Sequence, residues 1–359
     1  MGTERTSSAA PPRGIDALLT PWLRRLFAAG LLVAGVGLWV HHLRTVDWAG
    51  MRGVLAGMPH ERLGWALVFT VASYLVYSSI DLIARHVTQH RVGMGRTLAI
   101  GFISHACALN LGPAGVGFRF RLYMAHGLDA PKAAAIWLFN VATNWLGFVL
   151  IAGLALVTRS MNVPDDWGLV AIVSQALGAL MLALLVGYLV ACRLAHGREW
   201  RFFGRTLTPP SAAVAALQCG VSAVNWLLLA WVLTMLLQHG VPFGAVLGAL
   251  MASSLALAVI DVPAGLGVTE TVFLAMLGSQ VPTHELLAAM LAYRAIYFVA
   301  PLLIALAAYA AMESHFFANR RARQPLNPQA QPARSHPPHR AALALHPHRS
   351  SSGSPRSRP

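Results

Sequence analysis

Four charged residues stand where an apolar chain has least use for them. Arg119 and Arg121 follow the run Asn110-Leu-Gly-Pro-Ala-Gly-Val-Gly117, with Tyr123 just beyond. Glu270 follows Pro263-Ala-Gly-Leu-Gly267, and Arg294 lies inside a further apolar stretch, in Tyr293-Arg-Ala-Ile-Tyr297. An ionisable group at bilayer depth costs about 2.5–3.5 kcal/mol on insertion scales, so it is expected to have a partner or a task. Guanidinium groups meet phosphate or carboxylate as a two-pronged fork. The chemistry open to these residues is recognition of an anion, and the phosphate of a lipid headgroup leads the candidates.

The surroundings make the charges expensive. The chain has 359 residues, 56% of them hydrophobic and 11% charged, with a mean hydropathy of +0.58. Soluble domains carry about 25% charged residues, so most of this chain belongs in lipid. A net charge of +14 does not signal nucleic acid here, because arginine and histidine gather in loops and in the C-terminal tail, as loop asymmetry and anionic headgroups demand. Cys107, Cys192 and Cys219 are widely spaced in or beside apolar runs and read as packing residues, not disulfides or metal ligands.

Backbone must position the charges. Pro113-Ala-Gly-Val-Gly117 returns as Pro263-Ala-Gly-Leu-Gly267 after 150 positions. Proline removes a donor and glycine lets the chain turn, so neither run continues a helix. Irregular backbone at membrane depth is tolerated only where protein buries it or it lines a polar cavity, and broken segments in matching halves point to a solute site. A helix restarting after Gly117 would aim free amides inward with Arg119 and Arg121 in its first turn, a doubly positive end that expects an anion. Gly115, Gly117, Gly265 and Gly267 would supply the site's backbone. The other reading is that the two arginines snorkel to an interface. Glu270 either caps the free amides of the second restart, pairs with an arginine, or carries a proton. Arg294 is a gate or an ion-pair partner of Glu270 or Asp261. Asp81 is expected to reach the interface or Arg85. His105, Asn110, Asn140 and Asn144 line a polar path or bond neighbouring helices.

Apolar runs long enough to cross about 30 Å fall near 24–43, 63–83, 133–157, 169–191, 212–237 and 286–311. The stretches 97–127 and 247–281 are broken. Arginine-rich loops and a tail with eight arginines after Glu313 assign both termini to the cytoplasm. Each broken stretch then begins and ends on one side. The expected fold is an all-α polytopic membrane protein with inverted-topology repeats (about 24–157 and 169–311), six full spans and two opposed re-entrant hairpins. Residues 1–20 form a polar N-terminal segment, 21–315 the membrane domain and 316–359 a disordered basic tail suited to an anionic membrane surface. No HExxH, Walker A, GxSxG or zinc-spaced set occurs. No enzyme activity, catalytic residue, cofactor or metal is expected.

The segment from Asn110 to Tyr123, a Gly-rich break followed by Arg-x-Arg-x-Tyr, resembles the hallmark of the lysylphosphatidylglycerol synthase transmembrane, or flippase-like, family. Pro263-x-Gly-x-Gly-x-x-Glu270 with Tyr293-Arg294 and Pro301 resembles its C-terminal signature. The likeness covers about residues 20–315. It implies a multi-pass protein of the bacterial inner membrane whose family includes flippases of aminoacylated phospholipid, and it carries the family's site to Arg119, Arg121, Glu270 and Arg294. Pro113 stands where that family more often has glycine. Lipid aminoacylation does not follow, since the segment after Glu313 is too short and too biased for a synthetase domain. The sequence thus points to a transporter moving a phospholipid-type substrate between leaflets. A carrier of a soluble organic anion or a polyprenyl phosphate would use the same arginines. An accessory subunit of a cell-envelope complex, as a homo-oligomer or beside an envelope enzyme, is the reading from another class.

Overall fold

A computed structural model of the chain describes residues 53–54, 56–160, 168–194, 200–202, 205–207, 210–238, 240–260, 265 and 267–323. The expected first span at 24–43, the polar N-terminus, Asp261, Pro263 and the tail from 324 lie outside the described residues. The packed body ends at Ala311, and the residues from Met312 form a separate unit.

Helix α1 (His60–Thr88) has 29 residues, about 43 Å at 1.5 Å per residue, more than a hydrocarbon core requires. Its last turn closes on Gln89 in the left-handed conformation (φ 51). Helices α2 (Met94–Leu111) and α3 (Pro113–Ala125) form the first broken hairpin. Then come α4 (Ala130–Val157) and α5 (Gly168–Leu194). A small antiparallel ribbon follows, β1 (Trp200–Phe202) with β2 (Arg205–Leu207). It is a detail that the all-helical expectation lacked. Helix α6 (Ala212–Leu236) starts on Ser211, whose hydroxyl accepts from the Val214 amide at 3.3 Å. Helices α7 (Phe243–Ile260) and α8 (Val268–Leu277) make the second broken hairpin. The last long helix runs as α9 (Thr283–Tyr293), a π-helical turn (Arg294–Val299) and α10 (Ala300–Arg323).

Five helices among the described residues are long and apolar enough to cross a membrane: His60–Thr88, Ala130–Val157, Ala171–Leu194, Ala212–Leu236 and Thr283–Ser314. They coincide with five of the six expected spans. Their outer faces carry large apolar side chains that water would not tolerate: Ile172 is 62% exposed, Leu184 65% and Leu303 62%. Such a surface needs acyl chains around it.

Inside, α1 lies along α6, α2 and α4, while α4 packs on α5 and α6. Between helices in lipid, close backbone approach and polar contacts do the holding. Gly147 admits the Ser222 side chain into space that a Cβ would fill. The Gln218 amide donates to the Thr143 hydroxyl at 2.7 Å, and the Trp226 indole to the Asn144 carbonyl at 3.2 Å. Ser73 donates to the Asn225 side-chain oxygen at 2.7 Å, tying α1 to α6. The three cysteines are free and buried.

Candidate functional site

The first break falls at Gly112, not after Gly117. Gly112 has φ 56 and ψ −133, a backbone state closed to most side chains, and its amide still donates to Ala108 at 2.9 Å to finish α2. Pro113 then opens α3 at its first position, where a missing N–H goes unnoticed and φ is already set. The expected restart point is thus corrected by five residues, because Pro113 is a better helix starter than a glycine. Gly115 and Gly117 lie within α3. Gly115 is buried against the Cys107 backbone, which a Cβ would penetrate, so it lets the hairpin's arms touch. Gly117 is exposed and faces open space.

This shift moves Arg119 out of the first turn, so the dipole argument for a doubly positive helix end does not hold. What positions Arg119 is helical phase. Gly115, Arg119, Leu122 and Tyr123 form the buried face of α3, while Arg121, two residues from Arg119, is on the exposed face. The Arg-x-Arg pair therefore cannot act on one ligand from one face.

Arg119 is 4% exposed and its partner is Asp81, which is fully buried. The guanidinium donates to Asp81 Oδ1 at 2.6 Å, and the Asn140 side chain donates to the same oxygen at 2.6 Å. Asp81 does not reach an interface or Arg85, as was expected of it; Arg85 Nε donates instead to the Val92 carbonyl at 2.8 Å. Facing inward on α1, Asp81 meets Gly101 of α2, where any Cβ would stand 2.8 Å from Oδ2. Burial of two charges is tolerable because each serves the other and Asn140 adds a bond. The surroundings are polar and incompletely matched. Among the described residues, Asn140 Oδ1, Ser104 Oγ and His105 Nε2 are buried without a hydrogen-bond partner. His105 stacks on Tyr77 with ring centres 3.4 Å apart.

The second break meets its expectation more closely. Gly265 (φ 62) and Gly267 (φ 83) turn the chain, and α8 starts directly after Gly267. Glu270 sits at the third helical position and accepts from the Gly267 amide at 2.9 Å. Its other oxygen takes the Arg294 Nε at 2.6 Å. Arg294 also donates to the Gly265 carbonyl at 3.2 Å. Capping and ion pairing, posed as alternatives, are both made by one carboxylate. Each of these two side chains is 14% exposed.

Arg294 opens the π-helical turn, and that turn joins the two hairpins. Pro301 explains it: its ring has no N–H and would clash with the carbonyl four residues back, that of Tyr297. The freed Tyr297 carbonyl accepts from Tyr74 Oη at 2.9 Å, and the Phe298 carbonyl from Asn110 at 3.2 Å. Ser73 and the Tyr297 hydroxyl lie 2.9 Å apart. Asn110, at the tip of the first hairpin, thus reads the wide turn from one side while Glu270 holds it from the other. Among the described residues, α2 and α3 do not pack broadly on α7 or α8; the hairpins communicate through this turn. The sequence sends Asp81 to the interface or Arg85 and, while it singles out Arg294, gives Tyr297 no role. The signals were Pro301, four residues after Tyr297, and an acid inside an apolar run.

A bundle of apolar spans around two broken helices, each fixed by a buried or half-buried ion pair, defines a multi-pass membrane protein with a polar interior. The chain belongs to the lysylphosphatidylglycerol synthase TM region family, whose profile matches residues 26–305. It is 34% identical over 285 residues to the inner membrane protein YbhN of Escherichia coli (strain K12), covering 79% of this chain and 90% of that protein. It is 29% identical over 282 residues to the uncharacterized protein slr0712 of Synechocystis sp. (strain ATCC 27184 / PCC 6803 / Kazusa), covering 76% and 86% respectively.

Proposed function

We propose that this protein is a flippase-like lipid transporter of the bacterial inner membrane, not an enzyme, and that it moves a phosphate-bearing phospholipid between leaflets with both termini in the cytoplasm. The observation that carries the reading is the buried Asp81–Arg119 pair, set beside Asn140 Oδ1, Ser104 Oγ and His105 Nε2, which lack partners among the described residues. A purely structural pair is expected to satisfy its neighbours fully. One that leaves acceptors and donors idle is suited to exchange partners. In the proposed cycle a headgroup phosphate competes with Asp81 for the Arg119 fork, and the Glu270–Arg294 pair opens as the headgroup passes.

Topology supports the same reading. Residues from both ends of the first hairpin, Gly93 and Gly127 among them, line one cavity, which fits a re-entrant element. The helices equivalent under the 150-residue shift, α1 and α6, lie against each other, which fits an inverted duplication. The membrane location of YbhN supports the inner membrane for this chain. The test is a leaflet-resolved assay in proteoliposomes containing phosphatidylglycerol or phosphatidylethanolamine reporters. Wild type should equilibrate a reporter between leaflets and Arg119→Gln should slow it by about tenfold or more, given 1.5–3 kcal/mol for a bond to a charged group. Equal rates for wild type, Arg119→Gln and empty vesicles would remove the proposal. Movement of a soluble organic anion instead would favour the carrier reading.

A further inference from the structure

Where the first hairpin begins and finishes, the α1–α2 and α3–α4 loops flank a half-open cavity of about 390 Å³. Its charged wall consists of Arg91, Arg96 and Lys132, with His90 and His126 between them, and no acid among the described residues lines it. None of the three permanent cations makes an ion pair among the described residues. Like charges around one concavity repel each other unless an anion joins them.

The histidines are set in specific tautomers by their neighbours. His126 Nδ1 lies 2.8 Å from the Leu122 carbonyl, so that nitrogen carries the proton. His90 Nδ1 accepts from the Val92 amide at 3.3 Å, which leaves the proton of the neutral ring on Nε2. His90 is 7% exposed, and its Nε2 is buried with no acceptor among the described residues. Burial, and after it Arg85 and Lys132, push its pKa below the usual histidine range. The ring thus adds no charge to an already positive wall.

We infer that this cavity is a binding site for a phosphate group carried on a larger molecule, with Arg91, Arg96 and Lys132 supplying the charge that holds it. The volume fits: about 300–1,000 Å³ holds a small ligand, not a bare ion. The site differs from the buried pair, since neither Arg119 nor Asp81 lines it. The His90 ring meets the Tyr123 ring edge-on at 5.5 Å, which places the cavity beside the interior without merging the two. The inference goes beyond the transport reading and survives if that reading fails.

The phosphate has two conceivable sources, a phospholipid headgroup or a soluble phosphoester, and the probes separate them. Purified full-length protein is titrated calorimetrically with dioctanoyl phosphatidylglycerol and with glycerol phosphate. Arg96→Gln/Lys132→Gln is run beside wild type, and Arg119→Gln serves as the comparison for the interior site. The inference expects one probe to bind wild type, more weakly as salt rises. It expects the double variant to lose about tenfold or more in affinity, and Arg119→Gln to lose little. Arg96 and Lys132 are exposed, so the double variant should keep the wild-type melting temperature and helical circular dichroism. Tighter binding of the lipid assigns a headgroup, and tighter binding of glycerol phosphate a soluble ester; either supports the site. No binding of either probe, or equal affinity in wild type and the double variant, overturns it.

Discussion

Arg119 and Asp81, 38 residues apart in sequence, meet at 2.6 Å with side chains 5% and 0% exposed. Neither charge has water to fall back on. The pair therefore decides how the first hairpin sits on α1, whatever further task it performs.

Removing one member should hurt more than removing both. Asp81→Asn leaves a buried guanidinium unpaired and is expected to cost about 3–5 kcal/mol, seen as a marked fall in melting temperature in detergent. Asp81→Leu combined with Arg119→Met should recover most of that stability and still abolish leaflet exchange. Full exchange in the double variant would separate the pair from transport.

Two glycines of one motif should behave oppositely. Gly115→Ala drives a Cβ into the Cys107 backbone and is expected to cost at least about 1–3 kcal/mol. Gly117→Ala enters open space within a helix and should stabilise by about 0.4–1 kcal/mol. Chemical denaturation in mixed micelles measures both.

Gly101→Ala tests the approach of α2 to α1. Its Cβ would crowd Asp81 Oδ2 at 2.8 Å, so a loss of about 1–3 kcal/mol is expected. An Asp81→Asn background should change the size of that loss, because sites in contact do not add.

His90 predicts a pH dependence. It lies in the α1–α2 loop, where burial, then Arg85 and Lys132, depress its folded pKa. The unfolded chain then binds the proton more readily. Its stabilising contribution is present above the ordinary histidine value of about 6.5 and lost as pH falls through the range below it. Melting temperature should drop between about pH 7 and pH 5 in wild type, and less in His90→Phe. An identical drop in both would assign the effect elsewhere.

Span positions were legible because length and apolarity are enough to locate a membrane helix, and five expected runs coincide with observed helices. The second hairpin was legible too: two glycines followed by Glu270 specify a left-handed turn and a cap by local chemistry alone. The first break was misplaced because Pro113 and Gly117 are both plausible restart signals, and only Gly112 φ decides between them. Asp81 was underestimated because its partner sits on another helix, and inter-helix pairing leaves no spacing to read. Arg121 was grouped with Arg119 by proximity, although helical phase sends the two to opposite faces.

The wide turn from Arg294 to Val299 means that the last helix contains one residue more than regular α-winding would use. The residues from Ala300 to Ala311 are consequently rotated by about 100° from where an unbroken α-helix would put them. Migration of that surplus residue along the helix would swing Arg294 and the Tyr297 carbonyl relative to each other without unfolding a span. Shortening the helix by one residue at Val299 would fix the two faces in a single register.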